Sequence, residues 1–251
     1  MMRAAGKRMR ILAIDIGGSH LKAALIDARG RMLTDRLSVK TPARCTPHTM
    51  ISTLVKLVAG LPEHDLLAVG FPGVVQGDRV LTAPHWHSKK WVNFALARNL
   101  SRRLSGAPAR LINDAEMQGL AVISGKGLEL ALTLGTGAGT GLFRDGRVMP
   151  HLELAHHPVH KSKTYNDYIG DAALRKAGKK QWNKRVARVL NILYSLLHYD
   201  RIFIGGGNAA HIAFQLPDNA TLVSNDAGLS GGAMLWSDVT RPARGRSRHS
   251  Q

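Results

Sequence analysis

The first apolar segments of the chain are short and are separated by glycine turns. Residues 11–16, 20–27 and 31–39 each have the pattern of a strand, with Gly17-Gly18 and Arg29-Gly30 between them. Short apolar runs bounded by glycine turns are typical of antiparallel hairpins. The sequence therefore predicts a three-stranded meander at the start of the fold.

Helices and strands alternate after the meander. Thr46 and Pro47 suit a helix N-cap and a first helical position, and an apolar stripe continues to Val58. The pattern then predicts strands at 66–70 and 109–112 and helices at 94–104 and 115–123. A meander followed by such units is typical of a mixed sheet covered by helices.

The opening pattern returns in the second half of the chain. Residues 130–134 and 140–144 flank a glycine-rich loop, 135–139, and Thr133 follows Asp15 by 118 positions. Self-similarity at a fixed distance indicates a duplication. We therefore predict two lobes, residues 10–113 and 114–238. Further helices are expected at 166–177, 180–198 and 226–236, with a strand at 201–204.

The charge of the chain is strongly basic. Lys and Arg number 35 against 17 Asp and Glu, which gives a net charge of +18. The positive electrostatic potential of such a chain attracts polyanions: nucleic acid, an anionic membrane or a phosphate-rich substrate. We expect residues 1–9 and 239–251 to be flexible basic tails. Residues 161–188 carry nine Lys and Arg against two Asp, so the folded surface should be basic as well.

The single cysteine and the hydropathy pattern exclude several classes of protein. Cys45 alone cannot form an intrachain disulfide or a thiolate zinc site. The apolar runs are shorter than the ~18 residues that a membrane span needs. We expect a soluble, cytoplasmic protein that does not bind a membrane.

Three glycine-rich turns are candidates for binding phosphate: Gly17-Gly18, the loop 135–139 and the triplet 205–207. Glycine lets the backbone approach a ligand, and successive backbone N–H groups can form a nest for anions. Asp15 ends the strand before the first turn, where a carboxylate suits Mg²⁺ bound to phosphate. A turn or capping role is the alternative for Asp15.

Asn113-Asp114 stands between a predicted strand and a predicted helix, so Asp114 has two interpretations. It suits an N-cap, and it equally suits a general base that takes the proton of an attacking hydroxyl. Spacing alone favours neither interpretation.

Histidines cluster after the second repeat, at positions 151, 156, 157 and 160. A metal site is poorly supported, because their spacing is generic and no cysteine is near. Glu153 and His156 better suit hydrogen bonds to a polyhydroxylated ligand.

Several stretches, in order from residue 11 to about 236, resemble the ROK family of sugar kinases and most of all its polyphosphate glucokinase branch. These stretches are ILAIDIGGSHLKAALID, AVGFPGVVQG, residues 91–93, LINDAEMQGLA, LTLGTGAGTGLFRDGRVMPHLELAH, the helix around Trp182, RIFIGGGNA and NDAGLSGGAM. The resemblance covers nearly the whole chain and is more specific than any single motif.

The resemblance implies an α/β fold of the actin-like ATPase (ribonuclease H-like) type, with two lobes, each a mixed sheet flanked by helices, closing over a cleft. It implies transfer of a terminal phosphoryl group to the 6-hydroxyl of a hexose, with Asp114 as the catalytic base. The implied sugar-binding residues are Asn113, Glu153, His156, Gly73 and Asn166. The implied phosphate-binding residues are Asp15, Gly17, Gly18, Ser19, Lys22, Thr133, Gly135, Thr136, Gly137, Gly205, Gly206 and Gly207.

The resemblance also implies the donor and the cofactor. Most ROK kinases carry a cysteine-rich zinc loop, which this chain lacks, as does the polyphosphate branch. We therefore expect Mg²⁺ and no zinc, inorganic polyphosphate as donor with ATP as a second donor, and a homodimer.

Two positions depart from the family pattern. The family's Glu-x-Gly-His stands here as Glu153-Leu154-Ala155-His156, and a family glutamate aligns with Asn166. The alternatives are an ATP-only ROK kinase for another sugar and a weakly catalytic protein that binds sugar or polyanions. A nucleic-acid-binding regulator is disfavoured, because only ten residues precede the first strand. The stretch His85–Lys90 has no assigned role.

Overall fold

The computed structural model describes residues 9–86, 88–224 and 228–240. It is an α/β protein with two five-stranded sheets. The strands are β1 (Arg10–Ile16), β2 (His20–Asp27), β3 (Leu37–Lys40), β4 (Leu66–Phe71), β5 (Val75–Gln76), β6 (Arg79–Val80), β7 (Ala109–Asn113), β8 (Leu128–Leu134), β9 (Ala138–Arg144), β10 (Arg147–Val148), β11 (Pro158–His160), β12 (Lys163–Thr164), β13 (Arg201–Gly205) and β14 (Ala220–Leu222). The helices are α1 (Pro47–Val58), α2 (Leu96–Leu104), α3 (Asp114–Leu120), α4 (Tyr165–Ile169), α5 (Asp171–Leu197) and α6 (Ser237–Thr240), with 3₁₀ turns at Lys89–Trp91, Gly207–His211 and Ser230–Trp236.

The two sheets share one topology. Their strand orders are β3-β2-β1-β4-β7 and β10-β9-β8-β13-β14. In each sheet an antiparallel hairpin, β1–β2 or β8–β9, is extended by parallel strands. The hairpins place Asp15 opposite Lys22 and Thr133 opposite Gly139. The predicted repeat is thus present in the strand topology.

Helices cover the outer face of each sheet. On the first sheet, α1 and α2 contribute Met50, Leu54 and Leu100 to the core, each 0% exposed. On the second, α5 contributes Trp182 and Val186. Burying a side chain of this size stabilises the fold by roughly 1.5–3 kcal/mol, so these apolar stripes fix how the helices lie on the sheets.

The inner faces of the sheets meet α3 and the C-terminal 3₁₀ segment. Helix α3 contacts strands of both sheets. Trp236 is buried against the first sheet and donates its indole N–H to the carbonyl of Leu67 at 3.0 Å. Gly231 permits the close approach of the 3₁₀ segment to α3, because a Cβ there would clash with the carbonyl oxygen of Met117.

Residues 228–240 pack against both parts of the predicted domain division, which places residues up to 238 in the second lobe. Leu229, Ala233 and Trp236 join the apolar cluster of β1, β2 and β4 in the first sheet. Met234 and Leu235 pack against the cluster that joins α3 to the second sheet. The division at residues 113 and 114 stays a prediction.

Some predicted elements differ in extent or type. Strand β3 begins at Leu37 rather than at 31, and only a single bridge pairs Met32 with Ile26. The predicted helix at 226–236 begins among residues outside the described ones, and Ser230–Trp236 is a 3₁₀ rather than an α-helix. The helices predicted at 166–177 and 180–198 are divided differently: α4 ends at Ile169, and α5 then continues to Leu197 through a kink at Gly178, whose φ is +74°. A left-handed residue of this kind interrupts helical geometry.

The tails predicted at 1–9 and 239–251 lie largely outside the described residues, which include Met9, Val239 and Thr240.

Within residues 9–86, 88–224 and 228–240, no helix combines the length and the apolar content that crossing a membrane requires.

Candidate active site

A cleft of about 360 Å³ opens where the carboxyl ends of the parallel strands of both sheets face each other. Open α/β sheets usually bind ligands at this edge. Both glycine hairpins line the cleft, so they face a common crevice. Of the site residues predicted from the sequence, those that line the cleft are Asp15, Gly17, Gly18, Ser19, Lys22, Gly73, Asn113, Asp114, Thr133, Gly135, Thr136, Gly137, Glu153, His156, Asn166, Gly206 and Gly207.

Gly205 is the one predicted site residue outside that lining. It is buried at the end of β13, where a Cβ would lie 3.1 Å from Val223. Gly206 and Gly207, which follow it, line the cleft.

The first glycine hairpin is a tight turn. The N–H of Gly17 donates to the carbonyl of His20 at 3.0 Å, and the hydroxyl of Thr41 donates to the carbonyl of Gly17 at 2.7 Å. Behind the turn, Lys22 Nζ lies 3.1 Å from the buried carboxylate of Asp15. The carboxylate of Asp15, near the end of β1, and the ammonium group of Lys22, on β2, therefore form an ion pair that lines the cleft.

The second glycine hairpin is tied to α4 and α5. Gly135 N–H donates to the carbonyl of Gly137 at 2.9 Å, and Asp171 N–H, at the start of α5, donates to the carbonyl of Gly135 at 3.0 Å. Asn166 Oδ1 accepts from the N–H of Ala138 at 2.8 Å. This amide, predicted to contact sugar, uses its oxygen to hold the hairpin.

Asn113 is the N-cap of α3, so the capping interpretation applies to Asn113 and not to Asp114. Its Oδ1 accepts from the N–H groups of Ala115 at 2.9 Å and Glu116 at 3.3 Å. Its Nδ2 donates to the carbonyl of Gly73 at 3.2 Å. Asn113 thereby fixes the start of α3 beside the turn that follows β4, and its sugar contact stays a prediction.

Asp114 is the first residue of α3 and projects into the cleft. Burial, and then the nearby charge of Asp15, raise its pKa to about 7, with Glu153 adding to the effect and the N–H of Ala115 opposing it. A carboxylate with a pKa near neutral pH is ionised often enough to accept a proton and basic enough to hold it. Asp114 is therefore suited to general base catalysis.

Glu153, Ala155 and His156 lie on the loop between β10 and β11 and line the cleft. Sequence reasoning missed two side chains that support this loop, His151 and Glu116. His151 Nδ1 lies 2.7 Å from Glu116 Oε1 on α3. Each stands two positions from a predicted site residue, Asp114 or Glu153, but no spacing in the sequence indicates that the two side chains meet.

His85 was also missed, although it lines the cleft. Its ring lies over Gly18, where a Cβ would approach it to 3.3 Å. Loss of solvent and the neighbouring His156 lower its pKa, while Glu153 opposes the effect. Trp86 next to it stacks on Trp91 in the core with ring centroids 5.2 Å apart, which anchors the beginning of the His85–Lys90 stretch.

The cleft has donors suitable for one divalent cation. Mg²⁺ is usually held by one or two carboxylates together with substrate phosphates, and Asp15 presents a carboxylate beside the first glycine hairpin. Within the described part of the chain, no group of three His, Cys, Asp or Glu side chains is arranged to hold a metal. The residues therefore fit a cation that arrives with phosphate rather than one held by protein ligands alone.

The family model described as ROK family matches residues 11–157, which include both hairpins and Asp114. The chain belongs to the ROK family. Polyphosphate glucokinase of Mycobacterium tuberculosis is 31% identical over 237 residues, which is 88% of this chain and 89% of that protein. The prediction of a glucokinase-like phosphotransferase is confirmed by relatives of this kind.

Solved ROK structures support the fold. The inorganic polyphosphate/ATP-glucomannokinase of Arthrobacter sp. strain KM superposes with a TM-score of 0.80 at 28% identity, covering 90% of this chain and 98% of that one. A ROK glucokinase of Streptomyces griseus, solved with glucose and AMPPNP, superposes with a TM-score of 0.75 at 19% identity, covering 90% and 98%. The predicted actin-like fold is thus confirmed.

Proposed function

We propose that this ROK protein transfers the terminal phosphoryl group of inorganic polyphosphate, with ATP as a second donor, to the 6-hydroxyl of glucose or a related hexose. The observation that carries the proposal is the placement of Asp114 in a cleft that both glycine hairpins line. Phosphoryl transfer depends mainly on positioning and on charge stabilisation, and this arrangement supplies both.

The proposed role of Asp114 is to accept the proton of the sugar hydroxyl as that oxygen attacks phosphorus. Its raised pKa of about 7 supports this role. General base catalysis of this kind accelerates a reaction by roughly 10²–10⁴. Asn113 supports the step by fixing the first turn of α3, so that the carboxylate of Asp114 keeps its place.

The glycine hairpins are the proposed donor subsite. The N–H groups of Gly17 and Gly135 close the two turns, which leaves the backbone N–H groups of Gly18, Thr136 and Gly137 as the proposed nest for phosphate oxygens, without side-chain bulk. When bound, Mg²⁺ would neutralise charge on the donor phosphates, and Asp15 is the residue suited to hold it. Lys22, which is partly exposed and lies beside Asp15, adds positive charge at the same place.

Polyphosphate is the proposed donor because basic residues extend from this subsite. Helix α5 begins at a hydrogen bond to Gly135, and Lys176, Lys179, Lys180 and Lys184 are exposed around the kink at Gly178. A chain of phosphates would meet successive positive charges there, which raises both its association rate and its affinity. The names of the Mycobacterium and Arthrobacter relatives agree with this donor.

The sugar subsite is proposed at Glu153 and His156, whose carboxylate and imidazole suit hydrogen bonds to hydroxyl groups. Ala155 places a methyl group in the cleft lining between them. This methyl group and the use of Asn166 Oδ1 by the hairpin make sugar selectivity the property in which this chain is expected to differ from other ROK kinases.

The test is a matrix of donors against sugars with Mg²⁺: polyphosphate, ATP and GTP against glucose, mannose, glucosamine and fructose. We expect the highest kcat/KM with polyphosphate and glucose or mannose, and a 6-phosphate product identified by NMR. Asp114→Asn, purified in the same way, controls for a contaminating kinase. Turnover with ATP alone would favour the ATP-only alternative, and sugar binding without turnover would favour the binding-protein alternative.

A further inference from the structure

A buried ion pair lies directly behind Glu153. His151 Nδ1 and Glu116 Oε1 are 2.7 Å apart, and their side chains are only 13% and 6% exposed. Glu116 belongs to α3, two residues after Asp114, whereas His151 belongs to the loop that carries Glu153. The pair therefore joins the helix of the proposed base to the loop of the proposed sugar subsite.

The second nitrogen of His151 points to Glu153. His151 Nε2 is buried, makes no hydrogen bond of normal length with any described residue, and lies 3.5 Å from Glu153 Oε2. A buried donor without a close partner costs roughly 1–3 kcal/mol. Shortening this contact would remove that cost, so a closer approach of Glu153 Oε2 to His151 Nε2 would be favourable.

We propose that His151 is a positioning residue for the acceptor sugar: held as an imidazolium by Glu116, it directs the carboxylate of Glu153 into the cleft. The inference rests on the proposed function, since it assigns Glu153 to the sugar. Hydrogen bonds of this kind are often long in a free enzyme and tighten in the complex, so sugar binding is expected to draw Nε2 and Oε2 together.

The charges around His151 support its protonated form. Two carboxylates face it, Glu116 from α3 and Glu153 from its own loop. Burial alone would lower the pKa of His151, but the hydrogen bond to Glu116, the longer contact with Glu153 and the charges of both carboxylates outweigh burial and raise it to about 9. Without the imidazolium, two carboxylates would share a partly buried site with no cation between them, which is strongly unfavourable.

The negative charge of Glu153 also acts on two other groups of the cleft, since it works to raise the pKa of both Asp114 and His85. A cation at His151 partly neutralises that carboxylate. His151 therefore adjusts the charge of the proposed sugar side of the cleft from behind the residues that line it.

Glu116 also has a second role that makes a clean variant possible. Its Oε2 accepts from the N–H of Asn113 at 3.4 Å and completes the capping box of α3. Glutamine serves in a capping box as well as glutamate does. Glu116→Gln therefore keeps the cap while removing the charge that holds the proton on His151.

The first experiment titrates the histidines of the full-length wild-type protein by NMR with ¹⁵N-labelled imidazoles, with and without glucose. His151 is expected to carry both protons at pH 7.5 and to lose one near pH 9. Its assignment comes from the signal that disappears in His151→Gln. A neutral His151 at pH 7.5 would overturn the proposal without requiring any variant to be active.

The second experiment measures sugar KM and donor KM against pH. In the wild type, sugar KM should rise above pH 9 while donor KM stays within twofold. His151→Gln should raise sugar KM roughly tenfold, the effect of removing a hydrogen bond to a charged group, and should abolish that pH dependence. Glu116→Gln should move the rise in sugar KM by at least one pH unit toward neutral pH.

The matched control is His157→Gln, an exposed histidine of the same loop, which should leave both KM values unchanged. An unchanged sugar KM in His151→Gln, or the same pH dependence in Glu116→Gln as in the wild type, would overturn the proposal. A failure of the proposed function is recognised separately, because then the donor and sugar matrix yields no sugar phosphate whatever the charge of His151.

Discussion

The side-chain oxygen of Asn166 accepts a hydrogen bond of 2.8 Å from the backbone N–H of Ala138. This contact joins α4 to the second glycine hairpin. The same oxygen lies where a side chain at Gly137 would be, since a Cβ there would approach it to 2.5 Å. The shape of the hairpin therefore depends on the absence of a side chain at Gly137 and on the amide at Asn166.

Gly137→Ala is expected to push Asn166 away from the hairpin and to destabilise the fold by roughly 1–3 kcal/mol. Donor KM should rise more than sugar KM, because the hairpin is the proposed donor subsite. The comparison is Gly135→Ala, where no atom lies within 4 Å of the new Cβ. Urea unfolding of both variants provides the measurement, and equal losses of stability would contradict this reasoning.

Asp114→Asn is expected to lower kcat by roughly 10²–10⁴, with sugar binding by calorimetry within a few-fold of wild type. In the wild type, kcat should fall as pH drops below about 7, where Asp114 takes up a proton. Unchanged turnover in the variant would remove Asp114 from the mechanism.

The same substitution is expected to stabilise the protein at pH 8 and to leave stability unchanged near pH 3.5. The pKa of Asp114 is raised in the folded state from 3.8 to about 7, so ionisation opposes folding. The loss of stability that ionised Asp114 causes is absent below its pKa in the unfolded chain, 3.8. It grows between that pKa and the folded-state pKa and is complete above about pH 7. Thermal unfolding at both pH values tests the sign, and a lower Tm at pH 8 would contradict it.

Replacing Lys176, Lys179, Lys180 and Lys184 together by Gln should weaken the use of long polyphosphate more than the use of ATP. The difference should shrink in high salt, which screens exposed charges. A variant with the same loss of charge elsewhere on the exposed surface, at Lys56, Arg102, Arg103 and Arg144, is the control. Equal losses for both donors would argue against a polyanion path along α5.

Trp236→Phe should cost roughly 0.5–1.5 kcal/mol of stability, because it removes the hydrogen bond from the buried indole N–H to the carbonyl of Leu67. The guanidinium of Arg110 also lies over the indole of Trp236, with Cζ 4.2 Å from the ring centroid, and Arg110 forms an ion pair with Asp238. Unfolding in guanidinium chloride, followed by tryptophan fluorescence and circular dichroism, would measure the loss. A change under 0.5 kcal/mol in the free energy of unfolding would contradict the prediction.

Much of the fold could be predicted from local pattern. Glycine turns between apolar runs determined the hairpins, because only glycine suits such tight, ligand-facing turns. The apolar stripes of α1 and α5 were visible at helical spacing. Strand β14 and the short pairs β5–β6 and β11–β12 were missed, because two or three residues carry no detectable periodicity.

The sequence predicted the site residues that belong to glycine loops or carry carboxylates. It predicted less well the residues whose role depends on contacts between positions distant in the sequence. Asn113 took the capping role considered for Asp114, a distinction of one position that spacing cannot resolve. The partnership of Glu116 with His151, 35 positions apart, follows from the packing of α3 against the loop after β10. No local pattern contains that information.

The contact between Trp236 and Leu67 joins positions 169 residues apart. The inner face of the first sheet therefore gains its last covering residues only after residue 236 has left the ribosome. Until then, Ile11, Ile26 and Leu66 lack part of the cluster that buries them. Contacts of such long range are slow to form, and a nascent N-terminal half exposes an apolar surface of the kind that chaperones bind.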